Sequence, residues 1–297
     1  MTAFAYYRLP YLHHAHYVAQ LEGEPEVLSS VAELNGKEGF VIAPFSPSGD
    51  CPVLLIHPDE SKLLPISDAK VISTSDSTLG EDASDRDAYA GAFECFHQEL
   101  EKGTFRKIVL ARKATVRTAD KDFENLFMKA CRMYPRLFVS LVYTPQSGMW
   151  LMATPEILLK GEQGNMSTMS LAGTQKAEPS RTVADYPVEG VEWSHKNQEE
   201  QQYVTDYIED CIKAFADNYQ LKGPYTTMAA NLYHLRTDIS FRLRNEGRLG
   251  DVIDALYPTP AVCGIPKEEA RRFILQYEHQ PRKYYSGFVA VSYTHLR

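Results

Sequence analysis

The chain has 297 residues, 44% of them hydrophobic, and a formal net charge of -8 at pH 7. That is enough apolar material to bury one large core or two ordinary ones, so the chain is globular. The acidic balance, with no Lys/Arg run of nucleic-acid type, argues against a polyanion as partner, nucleic acid included, and any anionic ligand must be met by a few local cations.

The N-terminus, MTAFAYYRLPYLHHAHY, has no basic stretch leading into an apolar one, and the chain holds no 18-residue apolar run. Neither secretion nor membrane spanning is expected. Cys51, Cys95, Cys131, Cys211 and Cys263 are odd in number and widely spaced, with no Cys-x-x-Cys pair. They read as reduced thiols of a cytoplasmic protein.

Residues 1–80 read as an N-terminal sheet segment, with short strands such as Gly39–Ala43 and Pro52–Ile56 between turns rich in Pro, Ser, Gly and Asp. His13, His14 and His16 cluster, but no second ligand set stands at metal spacing. The polar run Ser73–Asp87 reads as a loop joining this segment to the rest. From Ala88 the pattern turns helical, with Tyr89, Ala92, Phe93, Phe96 and Leu100 on one face and Gly103 as the stop. Phe105–Arg112 then reads as a strand whose alternation places Lys107 among Phe105, Val109 and Ala111. A buried ammonium is costly, so Lys107 is either a functional amine or a lysine that snorkels to the sheet edge. Residues 122–134 form an amphipathic helix stopped by Pro135, and Arg136–Thr144 a strand.

The stretch Met149–Thr174 reads as a strand (Trp150–Ala153), a Thr154-Pro155 break, an extended run Ile157–Lys160, a polar turn at Glu162–Asn165, and a returning strand that stops at Gly-Thr. Glu156 sits where the apolar run changes direction. It is either a solvated acid at a strand end or a desolvated carboxyl whose raised pKa suits proton donation. A helix over about Ser194–Ala216 carries an apolar stripe (Tyr203, Val204, Tyr207, Ile208, Cys211, Ile212, Phe215) that points Glu200 inward one turn earlier. Such a carboxylate is a structural ion-pair partner or a ligand for a hard cation. The order of strands, helices and hairpins is mixed α+β, without the alternation of a doubly wound parallel fold.

The runs FRKIVLARK, ATPEILL, SLAGT, the Glu200 helix, NLYHLRTDI, ALYPTPAVCGIP and RKYYSGFVAV, in this order over roughly residues 85–291, resemble the chorismate-utilising enzymes. The resemblance implies an α+β fold of layered, largely antiparallel sheets with helices packed outside, and a catalytic core over 81–297. It implies that Lys107 is the general base activating water for attack at C2 of chorismate, which requires a neutral amine, and that Glu156 is the general acid for the departing C4 hydroxyl. It further implies that Glu200 is a ligand for Mg²⁺, and that Gly173, Thr174, His234 and Tyr285 contact the substrate. Pro258–Pro266 reads as architectural, with Pro266 opening the following helix.

A lysine at the nucleophile-activating position is typical of the family's water users, so the resemblance implies an isochorismate synthase of menaquinone or siderophore pathways. The alternatives are a salicylate synthase, which also eliminates pyruvate, and a non-catalytic chorismate-binding fragment. A histidine-metal module on His13, His14 and His16 ranks last. Three departures stand out: Gln201 in place of the usual His after the metal-binding Glu, Tyr257 in place of His in the HPTP run, and an end at Arg297 before the family's Ile-Arg strand and later acidic helix. The family comparison therefore implies a core truncated at the C-terminus; the expected partner is the small molecule chorismate, and the expected state a monomer.

Overall fold

A computed structural model describes residues 1–66, 83–116, 122–177, 187–229 and 232–292. The chain runs through strands β1 (Ala3–Arg8), β2 (His14–Gln20), β3 (Glu26–Leu28), β4 (Gly39–Ala43), β5 (Val53–Ile56) and β6 (Glu60–Pro65), then helix α1 (Ala83–Glu101) and β7 (Lys107–Ile108). Helix α2 (Phe123–Met133) precedes two hairpins, β8 (Phe138–Thr144) with β9 (Gly148–Thr154), and β10 (Lys160–Glu162) with β11 (Asn165–Lys176). Helix α3 (His195–Lys213), β12 (Ala216–Ala229), β13 (Leu232–Leu243), α4 (Leu249–Leu256), β14 (Gly264–Ile265), α5 (Lys267–Tyr277) and β15 (Phe288–Ser292) follow.

The strands form sheets ordered β6-β2-β1-β8-β9, β15-β4-β5-β3, β10-β11-β13-β12 and β14-β7, and every pairing is antiparallel. The first two sheets pack face to face through Ala5, Tyr7 and Val18 against Phe40, Ile42, Leu54 and Ile56. Helix α2 covers the outer face of the first sheet with Phe127, Met128 and Cys131. Ile253 of α4 and Tyr257 just after it cover the far face of the second. Strands β4 and β5 are thus buried on both faces, which is why they read as continuous apolar runs. The third sheet shows one face inward: β13 alternates, with Leu235, Ile239 and Phe241 buried beneath Val204, Ile208 and Ile212 of α3. Each such side chain removed from water contributes about 1.5–3 kcal/mol.

The expected α+β order with antiparallel sheets and outer helices is the order observed. Several local expectations are corrected. Helix α1 is already helical at Ala83, before the expected Ala88, and the rest of the expected Ser73–Asp87 loop lies outside the described residues. Its stripe is only partly used: Phe96 is buried, while Phe93 is 51% exposed and Leu100 36% exposed. Among the described residues the strand expected over Phe105–Arg112 pairs only at Lys107–Ile108, because its one partner there, β14, is two residues long. The run Ile157–Lys160 is not a strand until Lys160, and α3 ends at Lys213, short of Phe215. Strand β11 does not stop at Gly173-Thr174 but passes through them to Lys176 by a bulge against β13.

Among the described residues no helix is long and apolar enough to cross a membrane. All five cysteines are free thiols.

Candidate active site

Lys107 is held by backbone pairing on both sides: the Arg106 amide donates to the Ile265 carbonyl at 2.9 Å and the Val109 amide to the Cys263 carbonyl at 2.8 Å. The approach is close enough that a Cβ on Gly264 would stand 2.5 Å from the Lys107 carbonyl oxygen and 2.7 Å from the Ala270 Cβ. Only glycine fits there. The Lys107 side chain is 13% exposed and its ammonium pairs with the Glu200 carboxylate, itself 31% exposed. It does not snorkel to water.

Glu200 lies in the first turns of α3, which Ser194 caps by accepting from the Asn197 amide at 3.3 Å. In these turns the buried side chain is not Glu200 but Gln201, 2% exposed. The Gln201 side-chain oxygen accepts from the Ala172 amide at 2.9 Å, and its amino group donates to Ser170 Oγ at 2.8 Å and Thr237 Oγ1 at 3.1 Å. A buried amide with these bonds satisfied locks α3 onto β11 and β13, and so fixes Glu200 on the flank of the helix facing Lys107.

Glu156 follows β9. Thr154 Oγ1 accepts from its backbone amide at 3.2 Å, and Thr168 Oγ1 donates to the Leu158 carbonyl at 2.7 Å, pinning the turn on either side. Part of the side chain stays open, but enough protein surrounds the carboxyl that loss of hydration raises its pKa. A hydrogen bond from Thr259 Oγ1, at 3.2 Å from Oε1, and the charge of Lys107 oppose that rise without cancelling it. The solvated-loop reading of Glu156 is thereby set aside. Thr259 escaped the sequence reading because it lies between two prolines in a run that reads as pure turn. Gln201 was legible as position i−3 and i−4 from the buried Val204 and Thr205.

Gly173, Thr174 and His234 form a second cluster. Gly173 has φ +64°, the left-handed region, and a Cβ there would lie 3.3 Å from both Asn197 Cβ and Trp193 Cζ3. In the register left by the bulge Thr174 faces His234. His234 Nδ1 lies 3.2 Å from the Gly173 carbonyl oxygen and 3.3 Å from Thr174 Oγ1. A nitrogen bonded to a carbonyl carries the proton, so in the neutral ring Nε2 is an acceptor and the Thr174 hydroxyl hydrogen is left to donate elsewhere. Burial lowers the His234 pKa and favours that neutral ring.

Tyr285 stands apart. It is 56% exposed, in the turn before β15, and makes no hydrogen bond or ion pair with the other six residues. Its neighbour Tyr284 is the buried one, donating to the Pro52 carbonyl at 2.9 Å.

Among the described residues no group of three His, Cys, Asp or Glu side chains could hold a metal, and His13, His14 and His16 form no such group. Glu200 offers one partly exposed carboxylate. That donor set fits Mg²⁺, which is commonly held through one or two carboxylates with substrate and water oxygens completing the shell.

The sequence matches the model of the chorismate binding enzyme family over residues 56–293. It is 28% identical over 208 residues to the salicylate biosynthesis isochorismate synthase of Pseudomonas aeruginosa, covering 63% of this chain and 40% of that protein. It is 28% identical over 207 residues to the isochorismate synthase MenF of Escherichia coli, covering 68% of this chain and 47% of that one. The chain thus spans about half the length of the curated relatives it matches. The solved structure of MenF, the menaquinone-specific isochorismate synthase from Escherichia coli, superposes with a TM-score of 0.72 over 97% of this chain and 76% of that one, at 19% identity.

Proposed function

The chain belongs to the chorismate binding enzyme family, and from that premise we propose that it converts chorismate to isochorismate, with Mg²⁺ held through Glu200. The observation that carries the reading is the meeting of Lys107, Glu156 and Glu200 from three separate elements, with the acid's pKa raised by burial and the lysine's charge close enough to act on it. The similarity to isochorismate synthases supports the same reaction.

In this mechanism a water attacks C2 of the ring and gives its proton to the Lys107 amine. Both ring double bonds shift, to C1=C6 and C4=C5, and the C4–O bond breaks as Glu156 protonates the departing hydroxyl, which leaves as water. Each transfer contributes roughly 10²- to 10⁴-fold. Position supports both roles: a carboxyl whose pKa burial raises is suited to donate a proton, and the amine is carried by a residue that pairs directly with Ile265 of β14. Lys107 must enter turnover as the free amine, so its contact with Glu200 opens first. Bound Mg²⁺ would supply positive charge for the carboxylate of a dianionic substrate. The Thr174 hydroxyl is suited to donate to a substrate carboxylate, whereas neutral His234 offers an acceptor suited to a hydroxyl.

The test is product analysis after incubating the folded chain with chorismate, with and without Mg²⁺, with a parallel assay for pyruvate. Mg²⁺-dependent isochorismate without pyruvate, lost in Lys107→Ala and Glu156→Gln, is the expected result. Pyruvate appearing with salicylate would replace the reading by a salicylate synthase, and a folded chain that leaves chorismate untouched would overturn it.

A further inference from the structure

A buried ion pair joins the segment that carries Lys107 to the segment that carries Thr259, the hydrogen-bond partner of Glu156. Glu278, just after α5, and Arg282 are 5% and 3% exposed in their side chains. Arg282 donates through Nε to Glu278 Oε2 at 2.6 Å and through Nη2 to Oε1 at 2.7 Å. Its remaining donors reach two other backbones: Nη1 to the Val262 carbonyl at 2.6 Å and Nη2 to the Val109 carbonyl at 2.8 Å. Glu278 Oε1 also accepts from the Ala111 amide at 2.7 Å, and the guanidinium lies 4.4 Å from the centroid of the Phe45 ring.

The backbone contacts lead into the site in one or two steps. Val109 and Ala111 continue the segment that begins with Lys107. The Val262 and Cys263 amides both donate to the Thr259 carbonyl, at 3.1 and 3.0 Å, and Thr259 holds Glu156. With β7 only two residues long, ladder pairing alone fixes little of the Lys107 segment. A buried charge pair is weak evidence for stability, since the desolvation of both ions offsets their attraction; its better-attested use is to fix geometry. Arg is suited to this because its planar fork reaches several acceptors at once, which an ammonium cannot.

We propose that Glu278 and Arg282 are positioning residues that set the placement of Lys107 relative to Glu156 through the Val109 and Val262 carbonyls. The catalytic part of this inference rests on the isochorismate synthase reading; the geometric part does not.

The test uses the full chain carrying Arg282→Lys, which keeps the charge and loses the fork. Acylation of Lys107 by acetic anhydride, read by peptide mass spectrometry as a ratio to the exposed Lys222, is compared with wild type below both melting temperatures, alongside kcat and KM for chorismate. A several-fold rise in the Lys107 ratio is expected, with kcat reduced about ten- to a hundredfold and KM little changed, as for a misplaced catalytic group. A folded Arg282→Lys chain with the wild-type ratio and wild-type kcat overturns the proposal. A pair that serves stability alone predicts that second pattern together with a lower melting temperature. Should Arg282→Lys not fold, Glu278→Gln is read the same way, since its amide oxygen can still accept from Ala111. If wild type leaves chorismate untouched while the variant raises the acylation ratio, the functional reading falls and the geometric one stands.

Discussion

Glu156 is a carboxyl whose burial works against the stability of the fold. Its pKa in the folded chain is raised above the ordinary 4.5, so the contribution of this group to stability is fully present below pH 4.5 and is lost as pH rises through the raised value. Glu156→Gln removes that loss. Calorimetry across pH should therefore find the variant melting above wild type at neutral pH, the gap closing towards acid, while isochorismate formation disappears. Thr259→Val tests the same carboxyl from the other side. The Thr259 bond lowers the pKa, so its removal raises it further, and the alkaline limb of the kcat profile, where the acid has lost its proton, should move to higher pH. A limb that stays in place would mean that Thr259 does not touch the acid during turnover. At this scale the sequence was informative for charged residues, because a lysine or glutamate among apolar neighbours breaks a pattern. It was silent on Thr259, whose importance comes from a contact 103 residues away in the chain.

Gly173 is an element-scale feature: one left-handed residue turns β11 without ending it. The sequence suggested a strand stop, since Gly-Thr after an alternating run is a common terminator, and only pairing to β13 on both sides of the bulge reveals continuation. The bulge brings the Gly173 carbonyl and the Thr174 hydroxyl to the same ring nitrogen of His234. Gly173→Ala places a Cβ 3.3 Å from Asn197 and Trp193 in a backbone conformation that L-residues avoid. The left-handed backbone alone costs about 1–2 kcal/mol, measurable by urea unfolding, and a shifted Thr174 should raise KM for chorismate more than it lowers kcat. A second legibility limit belongs to this scale too. The run FRKIVLAR has every local mark of a full strand, yet strand length is set by the partner, and β14 offers two residues.

At the scale of the whole molecule the layered class was implied by the family resemblance, but which strands make each layer was not legible, because it depends on pairings between distant segments such as β1 with β8 and β4 with β15. Local pattern can say that β4 is buried on both faces but not by what. The arrangement has a thermodynamic consequence for the site. Glu156 follows the edge strand of the five-stranded sheet, Glu200 sits on the helix over the four-stranded β10-β11-β13-β12 sheet, and Lys107 belongs to a two-stranded ribbon between α1 and α5. A ligand that touches all three bridges separate cores and binds only the state in which they are assembled. Above saturation, each tenfold increase in chorismate should then add about 1.4 kcal/mol to unfolding. For a chain of this size that is roughly 2 °C in melting temperature per decade of ligand. The rise should appear in Lys107→Ala as well, since binding does not require turnover, and should weaken in Glu200→Ala if that carboxylate helps hold the substrate through Mg²⁺. Melting temperatures that stay flat over three decades of chorismate would show that the assembled layers do not form a chorismate site.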